Sequence, residues 1–292
     1  MFRSQSRQLL ADLALLLVAL IWGSTFVLVK EAVSQARPFS FIALRFALAT
    51  LTMILLFRRR LRALGRRELL AGALIGVFLT AGYGFQTVGL QYTTASKAGF
   101  ITGLSVVIVP FAAWLILGRR PAPNALVGVI LATIGLALLS LQVGESLTIE
   151  RGDLLVLACA FSFALHIVTV GAFAPRMDPL ALATAQIGVV ALASGALALT
   201  VEGGWSGFSG LVWFAALFTG LLATSLAFAV QTIAQVFTTP THTALIFATE
   251  PVFAVLFGAL LAGERLTGRA LLGCGLILAG MLVAELGREK SG

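Results

Sequence analysis

Apolar residues in this chain fall into long runs separated by short polar turns, and the runs cover roughly 10–31, 39–57, 68–91, 95–117, 123–142, 153–173, 179–200, 210–235, 241–262 and 268–286. A helix rising 1.5 Å per residue needs about 20 such residues to cross a hydrocarbon core ~30 Å thick. The pattern therefore predicts an all-α polytopic membrane protein with ten transmembrane helices. The ninth run, inside TTPTHTALIFATEPVFAVLFGALLAGER (238–265), carries a fault. Pro251 has no amide hydrogen, so the carbonyl of Phe247 one turn earlier loses its partner and the helix should kink or open there. Glu250 stands beside the fault, and a carboxylate at that depth, at a cost of roughly 2.5–3.5 kcal/mol, should face protein groups or water, or be protonated.

The ninth run has an echo 145 residues earlier. Gln86 corresponds to Gln231, Thr93-Thr94 to Thr238-Thr239, Gly118 to Gly263, Gly128 to Gly273 and Gly135 to Gly280. Nearer the amino terminus the offset is 141, from Asp12 to Asp153 and from Pro38 to Pro179. A period this long marks a duplicated half rather than a solenoid unit of 20 to 50 residues. Two repeats are expected, 1–145 and 146–292. Five helices per repeat is an odd number, so the second must enter the membrane upside down, an arrangement found in many secondary transporters with a substrate site near the midplane.

Composition agrees with the pattern: 59% hydrophobic and 11% charged residues give a mean hydropathy of +1.03, well away from soluble domains with about 25% charged residues. The net charge of +8 does not point to nucleic acid, because the basic residues sit in short loops and report topology. With the amino terminus inside, 13 Lys and Arg fall on the inner side and 6 on the outer, with Arg45 left within a span. Both termini are then cytoplasmic. Trp205 and Trp213 fall near the outer interface and Trp114 near the inner one. The first run imitates a secretory signal, but it is long, shows no A-x-A site and is followed by further spans, so it reads as a retained helix. Cys159 and Cys274 read as buried free thiols.

The segments WGSTFVLVK (22–30), RPFSFIALRF (37–46), LQYTTASKAGFITG (90–103) and EPVFAVLFGALLAGERL (250–266), followed by the Gly273 and Gly280 helix, resemble the EamA-type drug/metabolite transporter superfamily over nearly the whole chain. The resemblance implies a ten-helix inverted-repeat carrier of the bacterial inner membrane, commonly exporting amino acids or other small metabolites. QYTTASKAGFITGLSVVIVP (91–110) is similar to a branch that includes aromatic amino acid exporters. The second copy keeps Gly263-Glu264-Arg265 where the first has Gly118-Arg119-Arg120, so that glutamate need not carry over twice.

Several residues are candidates for the work. Trp22 and Phe26 share a helix face, as aromatic walls of a substrate cavity or as packing. Tyr83 and Gln86 share a face of the third span among Gly82, Gly84 and Gly89. Gln86 and its mate Gln231 would serve a substrate, a cavity water or a neighbouring helix. His166 is either a hydrogen-bonded structural group or a proton switch. Glu250, with the freed carbonyl of Phe247, offers negative potential suited to an ammonium group or a proton, or else to another helix. Arg45 would hold a substrate carboxylate, snorkel, or bind helix carbonyls. Lys30 and Lys97 lie near outer helix ends. Pro110 and Pro251 are the hinge candidates, one turn out of register between the copies. Gly72/Gly76 and Gly99/Gly103 have the spacing of close helix packing.

The chain shows no H-E-x-x-H, G-x-S-x-G or Walker A motif and no metal-ligand spacing, which disfavours an enzyme. No catalytic residue, cofactor or metal is expected; the partners are a small-molecule substrate and the lipid bilayer, for a monomeric chain. With few intramembrane charges, multiply charged anions are disfavoured, and a zwitterionic amino acid or an amphipathic cation fits. The expected function is export of amino acids, aromatic ones included, and related metabolites by alternating access; the alternative is multidrug or quaternary-ammonium efflux.

Overall fold

The structure is a computed structural model that describes residues 2–61, 65–93, 95–140, 149–205, 207–262 and 267–286. The Glu264-Arg265 pair and most of the carboxyl-terminal tail lie outside them, and so do the side chains of Phe26 and Lys30. Among the described residues every long element is helical: α1 (Phe2–Gln35), α2 (Pro38–Leu61), α3 (Arg66–Gly89), α4 (Ala95–Gly103), α5 (Ser105–Leu117), α6 (Pro123–Ser140), α7 (Arg151–Phe173), α8 (Pro179–Thr200), α9 (Gly210–Gly220), α10 (Ala227–Ala234), α11 (Pro240–Phe247), α12 (Glu250–Ala262) and α13 (Gly268–Leu286). Taken through the interruptions described below, nine helical stretches are long and apolar enough to cross a membrane, and Gly268–Ala284 forms a shorter apolar tenth.

Local chemistry sets the ends. Asp178 caps α8 by accepting from the amides of Leu180 and Ala181, with Pro179 in the first turn, while Thr239 caps α11 ahead of Pro240. Glu150 and Asp153 form a reciprocal capping box on α7, which satisfies amides that have no helical partner. Gly118 closes α5 with φ 68°, a left-handed conformation that favours glycine.

Three spans are not the continuous helices that their apolar runs predict. The fourth is divided at Leu104 into α4 and α5, and the ninth at Ala248–Thr249 into α11 and α12. Adding 145 to Leu104 gives Thr249, so the breaks fall at equivalent places in the two copies. The ninth span opens one turn ahead of Pro251, as its missing amide hydrogen predicts, but no proline stands at the break in the fourth. α5 continues through Pro110, and Pro251 is the second residue of α12, where a missing amide hydrogen costs little. The break therefore belongs to the repeat, and the interruption of the fourth span lies almost two turns before Pro110. The eighth span is interrupted by a π-helical segment at Leu221–Leu226 that contains no proline.

Glycines set the closest approaches. A Cβ on Gly128 would lie 2.5 Å from the carbonyl oxygen of Gly280, and one on Gly135 would lie 2.5 Å from that of Gly273. Rising numbers on α6 thus meet falling numbers on α13, and these corresponding helices run antiparallel. Gly72 and Gly76 meet Ala185 and Val189 of α8, so α3 and α8 run parallel, and this glycine pair serves packing within the chain. Neighbour relations exchange between the copies: α1 packs on α10, α11 and α12, while α7 packs on α3, α4 and α5.

Phe46, Met53, Leu79 and Ile187 form a buried centre between α2, α3 and α8, whereas Leu55, Leu115, Leu192 and Leu260 stand exposed on the outside. Exposed leucines are the expected surface where the solvent is hydrocarbon. Polar contacts between distant loops join segments that the Lys/Arg bias puts on one side. Arg60 pairs with Asp178 at 3.2 Å, Arg37 donates to the carbonyl of Glu202, and Ser209 donates to Gln35.

Candidate functional site

The π-helical segment organises the polar interior. Widening the turn frees backbone carbonyls and lets Thr224 donate to Thr219, five residues back, at 3.0 Å. Two side chains from the first copy converge there. The indole N–H of Trp22 donates to the Ala223 carbonyl at 2.8 Å, and Arg45 donates to the same carbonyl at 3.2 Å and to Thr224 Oγ1 at 2.7 Å. Arg45 is 5% exposed. It neither snorkels nor stands unpaired; its guanidinium also lies over the Phe46 and Tyr83 rings, 5.7 and 5.5 Å from their centroids.

Around this anchor the aromatic rings form one connected cluster. Trp22 meets Phe247 at 4.9 Å and Phe228 at 5.7 Å; Phe228 meets Phe46 and the ring of His166; Tyr83 meets Phe46 at 5.1 Å and Phe163 at 5.5 Å. Trp22 and Phe163 correspond under the 141 offset, and Tyr83 and Phe228 under 145, so the contacts Trp22–Phe228 and Phe163–Tyr83 are one contact made twice. Of the residues singled out from sequence, Trp22, Tyr83, His166 and Phe247 come together here. Phe46 and Phe228 belong to the same cluster, and nothing in their apolar surroundings marks them in the sequence.

Glu250 opens α12 where the ninth span breaks. Gly23 lets α1 pack directly on this point, since a Cβ there would lie 2.7 Å from the Glu250 carbonyl oxygen. The Glu250 side chain is half-buried and has no hydrogen bond or ion pair among the described residues. The site thus holds one cation engaged by protein oxygens and one carboxyl group that has no hydrogen bond or ion pair among the described residues.

The other polar candidates have protein partners. His166 Nε2 lies 2.6 Å from Gln186 Oε1, and the Gln186 amide donates to Thr232 at 3.1 Å. Gln186 is the repeat mate of Arg45, so each copy puts a polar anchor at this position. Gln231 donates to Gln235, which in turn donates to the Ile167 carbonyl. Gln86 reaches Thr102 at 3.3 Å in a different neighbourhood, so the two glutamines do not face a common space. Pro110 lies in the buried core around α5, and Pro251 sits beside Glu250.

A cavity of about 170 Å³ lies away from the aromatic cluster, at the ends of α5, α6 and α11, lined by Arg119, Arg120, Asn124, Thr239, Thr241 and His242. The rings in mutual contact fill the centre, where the sequence led us to expect a hollow. Two polar contacts between helices escaped the sequence reading: His242 Nε2 lies 3.4 Å from Asp12 Oδ2, and Lys97 Nζ lies 3.8 Å from Glu150 and 4.0 Å from Asp153. The repeat offsets carried the signal, since 141 takes Asp12 to Asp153 and 145 takes Lys97 to His242. Among the described residues no group of three His, Cys, Asp or Glu is placed to hold a metal ion.

The model of the EamA-like transporter family matches residues 9–141 and 150–285. An uncharacterized transporter of Archaeoglobus fulgidus is 37% identical over 257 residues, covering 88% of this chain and 80% of the relative. The uncharacterized transporter YvbV of Bacillus subtilis is 28% identical over 215 residues, 72% of this chain and 68% of its own. An S-adenosylmethionine/S-adenosylhomocysteine transporter of Chlamydia muridarum is 34% identical over 111 residues, covering 36% of this chain and 34% of its own. A protein of known crystal structure superposes with a TM-score of 0.81 at 21% identity, over 96% of this chain and 98% of that one, a likeness of fold. With both halves matched and the fold shared end to end, this multi-pass membrane protein belongs to the EamA-like transporter family, whose members are transporters and not enzymes.

Proposed function

We propose that the protein is a secondary transporter that exports amino acids, aromatic ones included, and related small metabolites across a bacterial inner membrane by alternating access. Its two copies, 1–145 and 146–292, lie in opposite orientations with both termini cytoplasmic, a reading supported by the antiparallel packing of α6 on α13. The substrate site is the space bordered by Trp22, Tyr83, Phe228, Phe247 and Glu250. In the cycle the rings part and the breaks at Leu104 and Ala248–Thr249 flex, because interrupted helices at mid-depth bend where backbone hydrogen bonds are already missing.

The observation that carries this reading is the unengaged carboxyl of Glu250 beside aromatic rings. An ammonium group is held there by the carboxylate and by the ring faces, and apolar walls take the rest of the molecule. Arg45 is spent on Ala223 and Thr224, so among the described residues the site holds no free cation for a phosphate. The same observation favours a second reading, efflux of quaternary ammonium compounds. The Chlamydia relative, named for a sulfonium-bearing amino acid and its neutral product, sits between the two. Counterflow in liposomes separates them: preloaded unlabelled amino acid should drive uptake of labelled phenylalanine or leucine, and Glu250→Gln should abolish it. Uptake driven by tetraphenylphosphonium and not by amino acids supports the second reading. No counterflow with either class sinks both.

A further inference from the structure

We infer that Asp12 with His242, and Asp153 with Lys97, are the two gates of the transport cycle, one closing the inner end of the substrate path and the other the outer end. This rests on the inverted-repeat reading above. The repeat offsets relate the two pairs residue by residue, so they are a single device built twice. Each joins the leading helix of one copy, α1 in its third turn or α7 in its first, to the first turn of a broken span in the other, α11 or α4. In each pair both side chains are nearly buried: 5% and 11% exposed for His242 and Asp12, 10% and 11% for Lys97 and Asp153. A buried carboxylate pays a desolvation cost that a partner on the same rigid helix would offset permanently. Here the partner lies on a span whose backbone is interrupted within two turns of it, at Leu104 or Ala248–Thr249, so pair and span can separate together.

The surroundings differ in a way that fits opposite faces. The inner pair lies against the 170 Å³ cavity at the end that carries Arg119 and Arg120. The outer pair is braced by Thr93, which donates to Asp153, and by Glu150. Both pairs are closed together in this structure, and the rings of Trp22, Phe46, Tyr83 and Phe228 are in contact between them. This is the occluded arrangement that alternating access passes through. Opening one end breaks one pair and leaves the other intact.

The test uses the full chain in oriented liposomes with Cys159 and Cys274 replaced by Ser, and a reporter Tyr83→Cys labelled by a membrane-impermeant thiosulfonate. Asp12→Cys/His242→Cys, oxidised to a disulfide, should abolish labelling from the cytoplasmic side and spare it from the outside; Asp153→Cys/Lys97→Cys should do the reverse, and reduction should restore both. Should a cysteine pair fail to fold, Asp12→Asn and Asp153→Asn keep the side-chain shape, and each should raise labelling from its own side about tenfold as the charge attraction across the pair, at 3.4 and 4.0 Å, is lost. Labelling from its own side that survives either staple, or is unmoved by either Asn variant, overturns the gates. Both staples blocking the same side would instead overturn the inverted orientation of the copies.

Discussion

The α6–α13 crossing gives the sharpest stability test, because glycine carbonyls take the place of side chains there. In Gly280→Ala the new Cβ would lie 2.5 Å from the Gly128 carbonyl oxygen and 3.1 Å from the Ala132 amide nitrogen. Backbone cannot swing aside, so the axes must part until the contact reaches about 3.4 Å, and a gap approaching 1 Å forfeits a quarter to a half of the dispersion energy of each neighbouring contact. Overpacking of this kind costs ~1–3 kcal/mol, offset by ~0.5–1 kcal/mol from replacing a helix-interior glycine. The expected net loss is ~0–2.5 kcal/mol. Gly99 and Gly275 have nothing within 4 Å of a built Cβ, so Gly99→Ala and Gly275→Ala should gain ~0.5–1 kcal/mol from backbone entropy alone. Unfolding in mixed detergent–dodecyl sulfate micelles, followed by fluorescence of the four tryptophans, measures both sets. The double variant Gly128→Ala/Gly280→Ala should cost less than the sum of its singles by at least ~0.5 kcal/mol, since the first methyl has already parted the helices for the second. Equal costs at Gly99 and Gly280, or strict additivity in the double variant, would refute the reasoning.

Other expectations follow from the same contacts. Arg45→Lys should lower stability by ~1.5–3 kcal/mol in the unfolding assay, because one ammonium cannot serve Thr224, Ala223 and two ring faces as a planar fork does. Trp22→Phe keeps the ring contacts, and Arg45 still satisfies the Ala223 carbonyl, so it should cost less than ~1 kcal/mol, while Trp22→Ala should cost ~3 kcal/mol or more. Asp178→Ala should cost ~0.5–2 kcal/mol through the lost α8 cap, whereas Arg60→Ala should be near neutral because its ion pair with Asp178 is exposed and such pairs contribute little.

Much of the architecture is legible without coordinates, for reasons peculiar to lipid. A span has to satisfy its own backbone and be apolar for about 20 residues, so periodicity hardly matters and run length counts the elements. Loop charge then orients them. Residues such as Asp12, Asp153, Gly128 and Gly273 announce the duplication because a polar or very small residue in an apolar field stands out. The aromatic partners Phe46 and Phe228 do not, being apolar residues among apolar residues. Proline is conspicuous in sequence, and the ninth span does break just ahead of Pro251, but α5 runs on through Pro110 and the fourth span is interrupted at Leu104, six residues earlier, where no residue type marks it.

By itself, then, the sequence determined a membrane-spanning helical chain, its approximate element count and its doubled construction, since burial in hydrocarbon admits few other solutions for these residues. Only the tertiary structure decided which polar groups are spent and which are left over. Arg45, His166 and Gln231 look alike in an apolar run, yet Arg45 meets a widened turn almost 180 residues away, His166 meets Gln186 on the next helix, and Gln231 meets Gln235 one turn on. Among the described residues Glu250 has no hydrogen bond or ion pair to its carboxyl group, although α1 packs closely on its backbone at Gly23.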